Sequence, residues 1–156
     1  MWHRILKLWD VSANIFRAPW GGACETQNAI YRAEVTNIPV PLHYYGATST
    51  KFISRWRVHQ QSLLHRNCTT GTALSTKVWE LRDTGQKPEV KFHLVKTARS
   101  AMAQVDRCNL CIEEKKLILY DKSNNLINTR EEIFSRCRHR ARWKVVKTIT
   151  LNDRNH

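Results

Sequence analysis

The chain has 156 residues and a mass of 18.3 kDa, which fits one domain and leaves little room for a second. Its composition of 42% hydrophobic and 25% charged residues, with five glycines and four prolines, excludes collagen-like, low-complexity and wholly disordered classes. The 26 lysines and arginines outnumber the 13 acidic residues, and the resulting net charge of +13 favours a polyanionic partner, nucleic acid before an anionic membrane surface.

The N-terminal segment bears on where the protein acts. No run of about 18 apolar residues occurs, so no membrane-spanning segment is predicted. Residues 1–20 have apolar side chains at helical spacing, but Arg4, Lys7 and Asp10 interrupt them, so a secretory signal is not expected. A surface helix, a fragment end and a mitochondrial presequence remain alternatives for this segment. An odd number of cysteines without a signal peptide favours a reducing compartment, and we predict a nuclear or cytoplasmic protein that is not secreted.

The first elements of the domain are two strands and two helices. β-Branched and aromatic residues predict strands over Asn28–Val35 and His43–Thr48, with prolines in the connection between them. From Lys51 the apolar residues recur at helical spacing, which predicts a helix of about three turns. A second helix is predicted to begin at Thr72 and to stop at Gly85, because glycine favours helix ends.

The second half of the domain adds a strand and two more helices. Alternating apolar and polar residues over 90–94 predict a half-buried third strand. Helices are predicted over about 109–120 and from an N-cap at Thr129 to about Trp143. The order β-β-α-α-β-α-α indicates a small α+β fold, a mostly antiparallel three-stranded sheet flanked by helices. The chain is accordingly divided into an N-terminal extension, a folded domain and a basic tail, at residues 1–20, 21–143 and 144–156.

Glu114 is an unusual acid, because it falls on the apolar stripe of its predicted helix. A carboxylate forced toward a core boundary in a strongly basic domain is suited to holding a divalent metal ion over a phosphate. A half-exposed glutamate paired with one of the many arginines is the alternative.

Arg55 and His59 lie four residues apart on one helix face, in a stretch without acids between Glu34 and Glu80. An arginine there can clamp a phosphate and a histidine one turn on can bind it or relay protons, although a solvated basic face has the same pattern. Tyr31, on the first predicted strand, is by itself an ordinary strand residue.

Five segments occur in order along the chain, namely AIYRAEV, YYGATSTKFISRWRVH, CNLCIEEKKLIL, LINTREEI and CRHR. Together they resemble the GIY-YIG endonuclease domain attached to the reverse transcriptases of invertebrate retroelements. The resemblance covers roughly Gly22 to Trp143 and identifies Ala29–Tyr31 and Tyr44–Gly46 as the two tripeptides that name the family. The second tripeptide has Tyr45 where the name has isoleucine, which leaves open whether this tyrosine or Tyr44 points inward.

The resemblance implies a one-metal hydrolysis of DNA phosphodiester bonds. A tyrosine would act as base or relay for water, Arg55 would stabilise the phosphorane-like charge, and Glu114 would hold Mg²⁺ or Mn²⁺. A tyrosine with a pKa of about 10 is a poor base, so we expect neighbouring cations to lower that pKa. The catalytic residues implied are Tyr31, Tyr44, Arg55, His59, Glu114 and Asn128.

The implied partners are DNA and a reverse transcriptase domain encoded nearby. Two alternatives account for the charge without cleavage. One is a catalytically decayed nucleic-acid-binding module with a structural zinc site, and the other is an RNA-associated structural protein of ribosomal type.

The cysteines form a second pattern. Cys108 and Cys111 form a CxxC, and Cys137 with His139 forms a CxH further along the chain. Thiolate and imidazole ligands suit a structural zinc ion, with Cys24 or His139 as the fourth ligand. Buried thiols packed between helices are the alternative.

The C-terminal run RCRHRARWKVVK concentrates positive charge around one tryptophan, which is typical of contacts with backbone phosphates. A nuclear-import signal or a solvated tail would have a similar composition. The residues assigned to nucleic-acid binding are Arg57, Arg136, Arg138, Arg140, Arg142 and Lys144.

Overall fold

The computed structural model describes residues 23–98, 108–135 and 137. Its strands are β1 (Ala29–Thr36), β2 (Leu42–Thr48) and β3 (Glu89–Thr97). Its α-helices are α1 (Phe52–Leu64), α2 (Ala73–Asp83) and α3 (Asn109–Tyr120), and two short 3-10 helices span Ala23–Glu25 and Arg130–Phe134. The predicted α+β class is confirmed. The N-terminal extension, residues 1–20, and the basic tail, residues 144–156, lie outside the described residues.

The sheet has the order β2-β1-β3, and both pairs of neighbouring strands are antiparallel. On the central strand, Ala33 lies opposite Tyr44 of β2 and opposite Phe92 of β3. Because side chains alternate between the two faces of a strand, these residues share one face with Tyr31. The pairing therefore places both tyrosines of the predicted site on one face of the sheet.

The hydrophobic core fills the space between this face and the first two helices. Small and β-branched residues of β1 form its floor, since Ala33 and Val35 are fully buried. Phe52 of α1 and Val78 of α2 lie over them, also with no exposed surface. The helices are thus held against the sheet by apolar burial, which contributes roughly 1.5–3 kcal/mol for each large side chain.

Helix α2 fixes the C-terminal end of α1. The indole Nε1–H of Trp79 donates to the carbonyl of Ser62 at 3.0 Å, and Arg82 Nη1 donates to the carbonyl of Leu63 at 2.5 Å. These carbonyls belong to the last turn of α1, where no backbone donor of the helix can reach them. The contacts position α1 so that its middle turns lie over the sheet.

The last helix differs from the prediction. It begins after the predicted N-cap Thr129, but it is a 3-10 helix that ends at Phe134, and the following Ser135 is extended. The carbonyl of Glu132 accepts hydrogen bonds from both the backbone N–H and the hydroxyl of Ser135, at 3.1 and 2.6 Å. A serine side chain that bonds to the backbone in this way competes with helix continuation. The rest of the segment predicted as helical, up to Trp143, lies almost wholly outside the described residues.

Candidate active site

Tyr31 lies at the centre of the candidate site and is fully buried on β1. Its partner across the strand pair is Gly46, and a Cβ at that position would overlap the ring and the hydroxyl of Tyr31. The ring also packs against Phe52 and Phe92, with centroids 5.4 and 6.0 Å apart. Glycine is therefore needed on β2 because the tyrosine ring occupies the space of its side chain.

The Tyr31 hydroxyl contacts two side chains of α1. Arg55 Nε donates to it at 3.1 Å, and His59 Nε2 lies 2.6 Å from it. Residues four apart lie on the same side of a helix, so one helix face supplies both contacts. The structure thus brings Tyr31, a strand residue, together with the Arg55 and His59 pair that the sequence placed on one helix face.

The electrostatics of this group do not follow the expectation from charge alone. Burial raises the pKa of Tyr31 to about 12, although the positive charge and hydrogen bond of Arg55 act in the opposite direction. The expectation that cations lower this pKa is wrong here, because loss of hydration disfavours the phenolate more than one arginine favours it. Tyr31 is therefore a neutral phenol at physiological pH.

His59 is also neutral. Burial, reinforced by the charge of Arg55, lowers its pKa to about 3. Because the Nε–H of Arg55 is a donor, the hydroxyl hydrogen of Tyr31 is directed to His59 Nε2, and the proton of the ring is assigned to Nδ1. Within the described residues this buried Nδ1 has no hydrogen-bond partner.

Tyr44 is the tyrosine of the second tripeptide that faces the site. It is buried, its ring centroid lies 6.3 Å from that of His59, and burial together with the nearby Tyr31 raises its pKa. Tyr45 is half-buried and packs edge-on against His43, at 5.6 Å between centroids. The strand register therefore resolves the ambiguity that the sequence left between the two residues.

Glu114 on α3 is the acid of the site. Burial and the nearby carboxylate of Glu132 raise its pKa to about 7, whereas a hydrogen bond from the backbone N–H of Ala47 and the charge of Arg55 act to lower it. A carboxylate with this pKa carries a proton that a cation can displace near neutral pH. The charge of Glu114 also acts on Tyr31 and Tyr44.

Asn128 connects the segment after α3 to β2. Its Oδ1 accepts from the backbone N–H of Tyr45 at 2.7 Å, and its Nδ2 donates to the carbonyl of the same residue at 2.9 Å. The same Nδ2 donates to Glu132 Oε2 at 3.0 Å. Asn128 therefore holds a backbone and a carboxylate in place, and it acts on the site by positioning.

Glu132 is a site residue that sequence reasoning missed. Its other carboxylate oxygen accepts from the backbone N–H of Thr129 at 3.2 Å, which is half of a capping box. In the sequence, Thr129 followed by Glu132 three residues later indicates the start of a helix, but this pattern does not place Glu132 beside Glu114.

A group of three cysteines lies beside α3. The sulfur atoms of Cys108, Cys111 and Cys137 are all within 4.8 Å of one another, and those of Cys111 and Cys137 are 3.3 Å apart. These three residues could hold a metal ion. Cys24, in the first 3-10 helix, is not a member of the group, because its sulfur does not lie within 4.8 Å of all three others, and His139 lies outside the described residues.

A second polar cluster ties the loop after α3 to the start of β2. His43 Nε2 lies 2.5 Å from Asp121 Oδ2, and the Ser123 hydroxyl lies 3.5 Å from the same nitrogen. Burial acts to raise the pKa of Asp121, but hydrogen bonds from Ser123 and His43 together outweigh it and lower the pKa to about 2. Ser123 and Asp121 both contact Nε2 of the His43 ring. In a nucleophilic triad the serine contacts one ring nitrogen and the aspartate the other, so this cluster is structural.

Of the residues assigned to nucleic-acid binding, Arg57 is exposed on α1. The others lie outside the described residues, namely Arg136, Arg138, Arg140, Arg142 and Lys144.

Comparison of the chain with models of protein families, with curated proteins and with solved structures found no match. None of the helices in the described ranges combines the length and apolar character that crossing a bilayer requires.

Proposed function

We propose that this chain is a metal-dependent DNA endonuclease of the GIY-YIG type and of retroelement origin, which nicks DNA by hydrolysing a phosphodiester bond. The observation that carries the proposal is the Tyr31 hydroxyl, bonded at 3.1 Å to Arg55 and at 2.6 Å to His59, within the electrostatic reach of Glu114. These are the residue types that phosphodiester hydrolysis needs for proton transfer, charge stabilisation and metal binding.

Arg55 supplies the positive charge. Its Nε–H is used by Tyr31, and within the described residues no hydrogen bond is made by its two terminal nitrogens, whose N–H donors suit phosphate oxygens. The bond to Tyr31 and the partial burial of the guanidinium restrict its motion, and a preorganised cation stabilises developing negative charge better than a mobile one.

Tyr31 and His59 form the proton path. Because Tyr31 is fully buried, the side chains over its hydroxyl would have to move to admit the attacking water. That water would pass a proton to the phenol oxygen while the hydroxyl hydrogen of Tyr31 moves to His59 Nε2. The phenol need not ionise in this sequence, which is consistent with a pKa of about 12. Burial and the positive charge of Arg55 both disfavour the imidazolium that His59 forms. The negative charge of a bound phosphate would offset the repulsion from Arg55.

Glu114 is the proposed ligand for Mg²⁺ or Mn²⁺, and its residue chemistry fits, because these ions prefer carboxylate oxygens and retain water ligands. A bound ion of this kind supplies positive charge to the leaving oxygen. Glu132 adds negative charge beside Glu114, which favours a cation there, and Asn128 holds Glu132 in place.

The proposal includes the partners and setting implied by the resemblance. DNA is the substrate, a reverse transcriptase domain encoded nearby is the companion, and the nucleus or cytoplasm is the compartment. A structural zinc ion at Cys108, Cys111 and Cys137 is also proposed, separate from the catalytic ion because thiolates suit zinc and carboxylates suit magnesium.

One observation favours a second candidate, a catalytically decayed module that binds nucleic acid and zinc. The pKa of each site tyrosine is raised by burial, so neither tyrosine is a ready base. This candidate would keep the basic surface and the three cysteines without cleavage.

Plasmid nicking with and without Mg²⁺ tests the choice. We expect purified protein to nick supercoiled DNA only with the ion, and Arg55→Ala to abolish nicking while DNA binding stays within a few-fold. Arg57→Ala, two residues along the same helix, is the matched control and should weaken binding without abolishing cleavage. A well-folded wild type that binds but never nicks would favour the decayed module, and nicking by Arg55→Ala at the wild-type rate would refute the site.

A further inference from the structure

The three-cysteine group lies where two parts of the candidate site meet. Cys108 is the N-cap residue of α3, and Cys111 lies in the first turn of that helix. Cys137 follows the second 3-10 helix by three residues. Sulfur atoms within 4.8 Å of one another therefore join the start of α3 to the segment that leaves the 3-10 helix.

Each joined part carries one of the two carboxylates. Glu114 follows Cys111 by three residues, which is about one helical turn. Glu132 lies inside the 3-10 helix, five residues before Cys137. A metal ion that fixes the distance between the cysteines therefore also limits the distance between Glu114 and Glu132.

Both carboxylates are also linked to β2, Glu114 directly and Glu132 through Asn128. The backbone N–H of Ala47 bonds to Glu114, and Asn128 links both backbone groups of Tyr45 to Glu132. These two anchor points are two residues apart on the same strand. Each carboxylate is therefore tied to β2, and each lies three to five residues along the chain from a cysteine of the three-cysteine group.

The sulfur positions suit a tetrahedral ion. Zinc–sulfur bonds of about 2.3 Å at tetrahedral angles place sulfurs about 3.8 Å apart, and the observed 3.3 Å between Cys111 and Cys137 requires only a small outward shift. Three thiolates fill three of the four zinc positions, and no other His, Cys, Asp or Glu of the described residues belongs to the group.

We infer that a zinc ion bound by Cys108, Cys111 and Cys137 fixes α3 against the segment after the second 3-10 helix, and so sets the spacing of Glu114 and Glu132 on which affinity for the catalytic ion depends. The inference rests on the proposed function. In this role the zinc ion positions the two carboxylates, the proposed ligand Glu114 and its neighbour Glu132, and takes no part in the reaction.

Metal binding is measured first. Purified protein should contain one zinc per chain, and Co²⁺ put in its place should show the intense charge-transfer absorption of thiolate ligation. Cys111→Ser and Cys137→Ser should lose both signals. Cys68→Ser, in the loop between α1 and α2, and Cys24→Ser are matched controls that should keep them.

The effect on the nuclease site is measured by Mg²⁺ titration. In zinc-free Cys137→Ser the Mg²⁺ concentration for half-maximal nicking should rise about tenfold or more, as when the outer ligands of a metal site are removed, with the saturated rate largely kept. A folded, zinc-free protein with an unchanged Mg²⁺ requirement would overturn the inference. If Cys137→Ser does not fold, wild-type protein from which zinc has been removed with a zinc-selective chelator is titrated instead. If the variant and the zinc-free wild type are both unfolded, zinc serves the fold alone and the inference is overturned.

A second readout separates this inference from the nuclease proposal. Mg²⁺ that binds the folded state raises the temperature of unfolding whether or not DNA is cut. If no preparation nicks DNA but Mg²⁺ stabilises the zinc-loaded protein at lower concentration than the zinc-free protein, the nuclease proposal fails and the positioning role stands. If zinc-free protein nicks DNA at the wild-type Mg²⁺ requirement, the nuclease proposal stands and the positioning role of zinc fails.

Discussion

Glu114→Gln tests whether ionisation of the buried Glu114 carboxylate lowers the free energy of unfolding, as its raised pKa indicates. Burial and Glu132 raise its pKa from 4.5 to about 7. Between these values the folded state holds a proton that the unfolded state has released, so stability falls as pH rises toward 7. One pKa unit corresponds to about 1.4 kcal/mol, and the full effect above pH 7 is therefore about 3 kcal/mol.

Glutamine keeps the shape of the side chain and removes the charge, so the variant should escape this loss. Urea unfolding without divalent ions should show Glu114→Gln more stable than wild type by about 1 kcal/mol at pH 5 and by about 3 kcal/mol at pH 8. Adding Mg²⁺ at pH 8 should stabilise the wild type and leave the variant unchanged, because the carboxylate of Glu114 is the proposed ligand of the ion. The variant should also fail to nick DNA.

Glu113→Gln is the matched control, one residue earlier on the same helix. Hydrogen bonds from Lys116 and Lys96 hold the pKa of Glu113 at about 2. A lowered pKa has the opposite sign, since its contribution to stability is present above pH 4.5 and is lost as pH falls toward 2. This variant should gain no stability at pH 8. Equal pH dependence of Glu114→Gln and wild type would refute the reasoning about the buried carboxylate.

Three further predictions concern the frame of the site and its charge. Gly46→Ala should displace the Tyr31 ring, reducing nicking about 100-fold and stability by about 1–3 kcal/mol, and a wild-type nicking rate would contradict the contact between them. Asn128→Ala should lower the urea-derived free energy of unfolding by about 2–3 kcal/mol, because the N–H and carbonyl of Tyr45 lose their partner, and a change below about 0.5 kcal/mol would argue against this role. DNA affinity should fall by roughly 0.9 log units per log unit of salt for each phosphate contacted, and Arg57→Ala should reduce that slope by about one, so an unchanged slope would remove Arg57 from the interface.

Local patterns predicted the fold well. The helix from Thr72 to Gly85 was visible because both ends carry their own chemistry: Thr72 and Ser75 form a capping box, and Gly85 with φ of 81° closes the C-terminal motif. The extent of the last helix was not predictable in this way. It depends on Ser135 bonding back to Glu132, and the same residues are compatible with a continuing helix.

The site was predictable as a set of residue types and not as an arrangement. Arg55 and His59 are close in sequence, so their common face followed from helical spacing. The choice between Tyr44 and Tyr45 depends on which of them pairs with Ala33, which is a property of the assembled sheet. The direction of the pKa shift of Tyr31 was missed because net charge is visible in a sequence, whereas burial of a hydroxyl is a product of packing.

The bonds between Asn128 and Tyr45 join residues 83 positions apart, whereas Tyr31 meets Arg55 and His59 across 24 and 28 positions. Contacts between distant residues close longer loops and tend to form later in folding. The tyrosine, arginine and histidine can therefore assemble while the chain is still being synthesised, before Glu132 has left the ribosome. In the proposed nuclease, Arg55 would therefore be in place early and the carboxylate of Glu132 late, so cleavage would await the docking of Asn128 on β2.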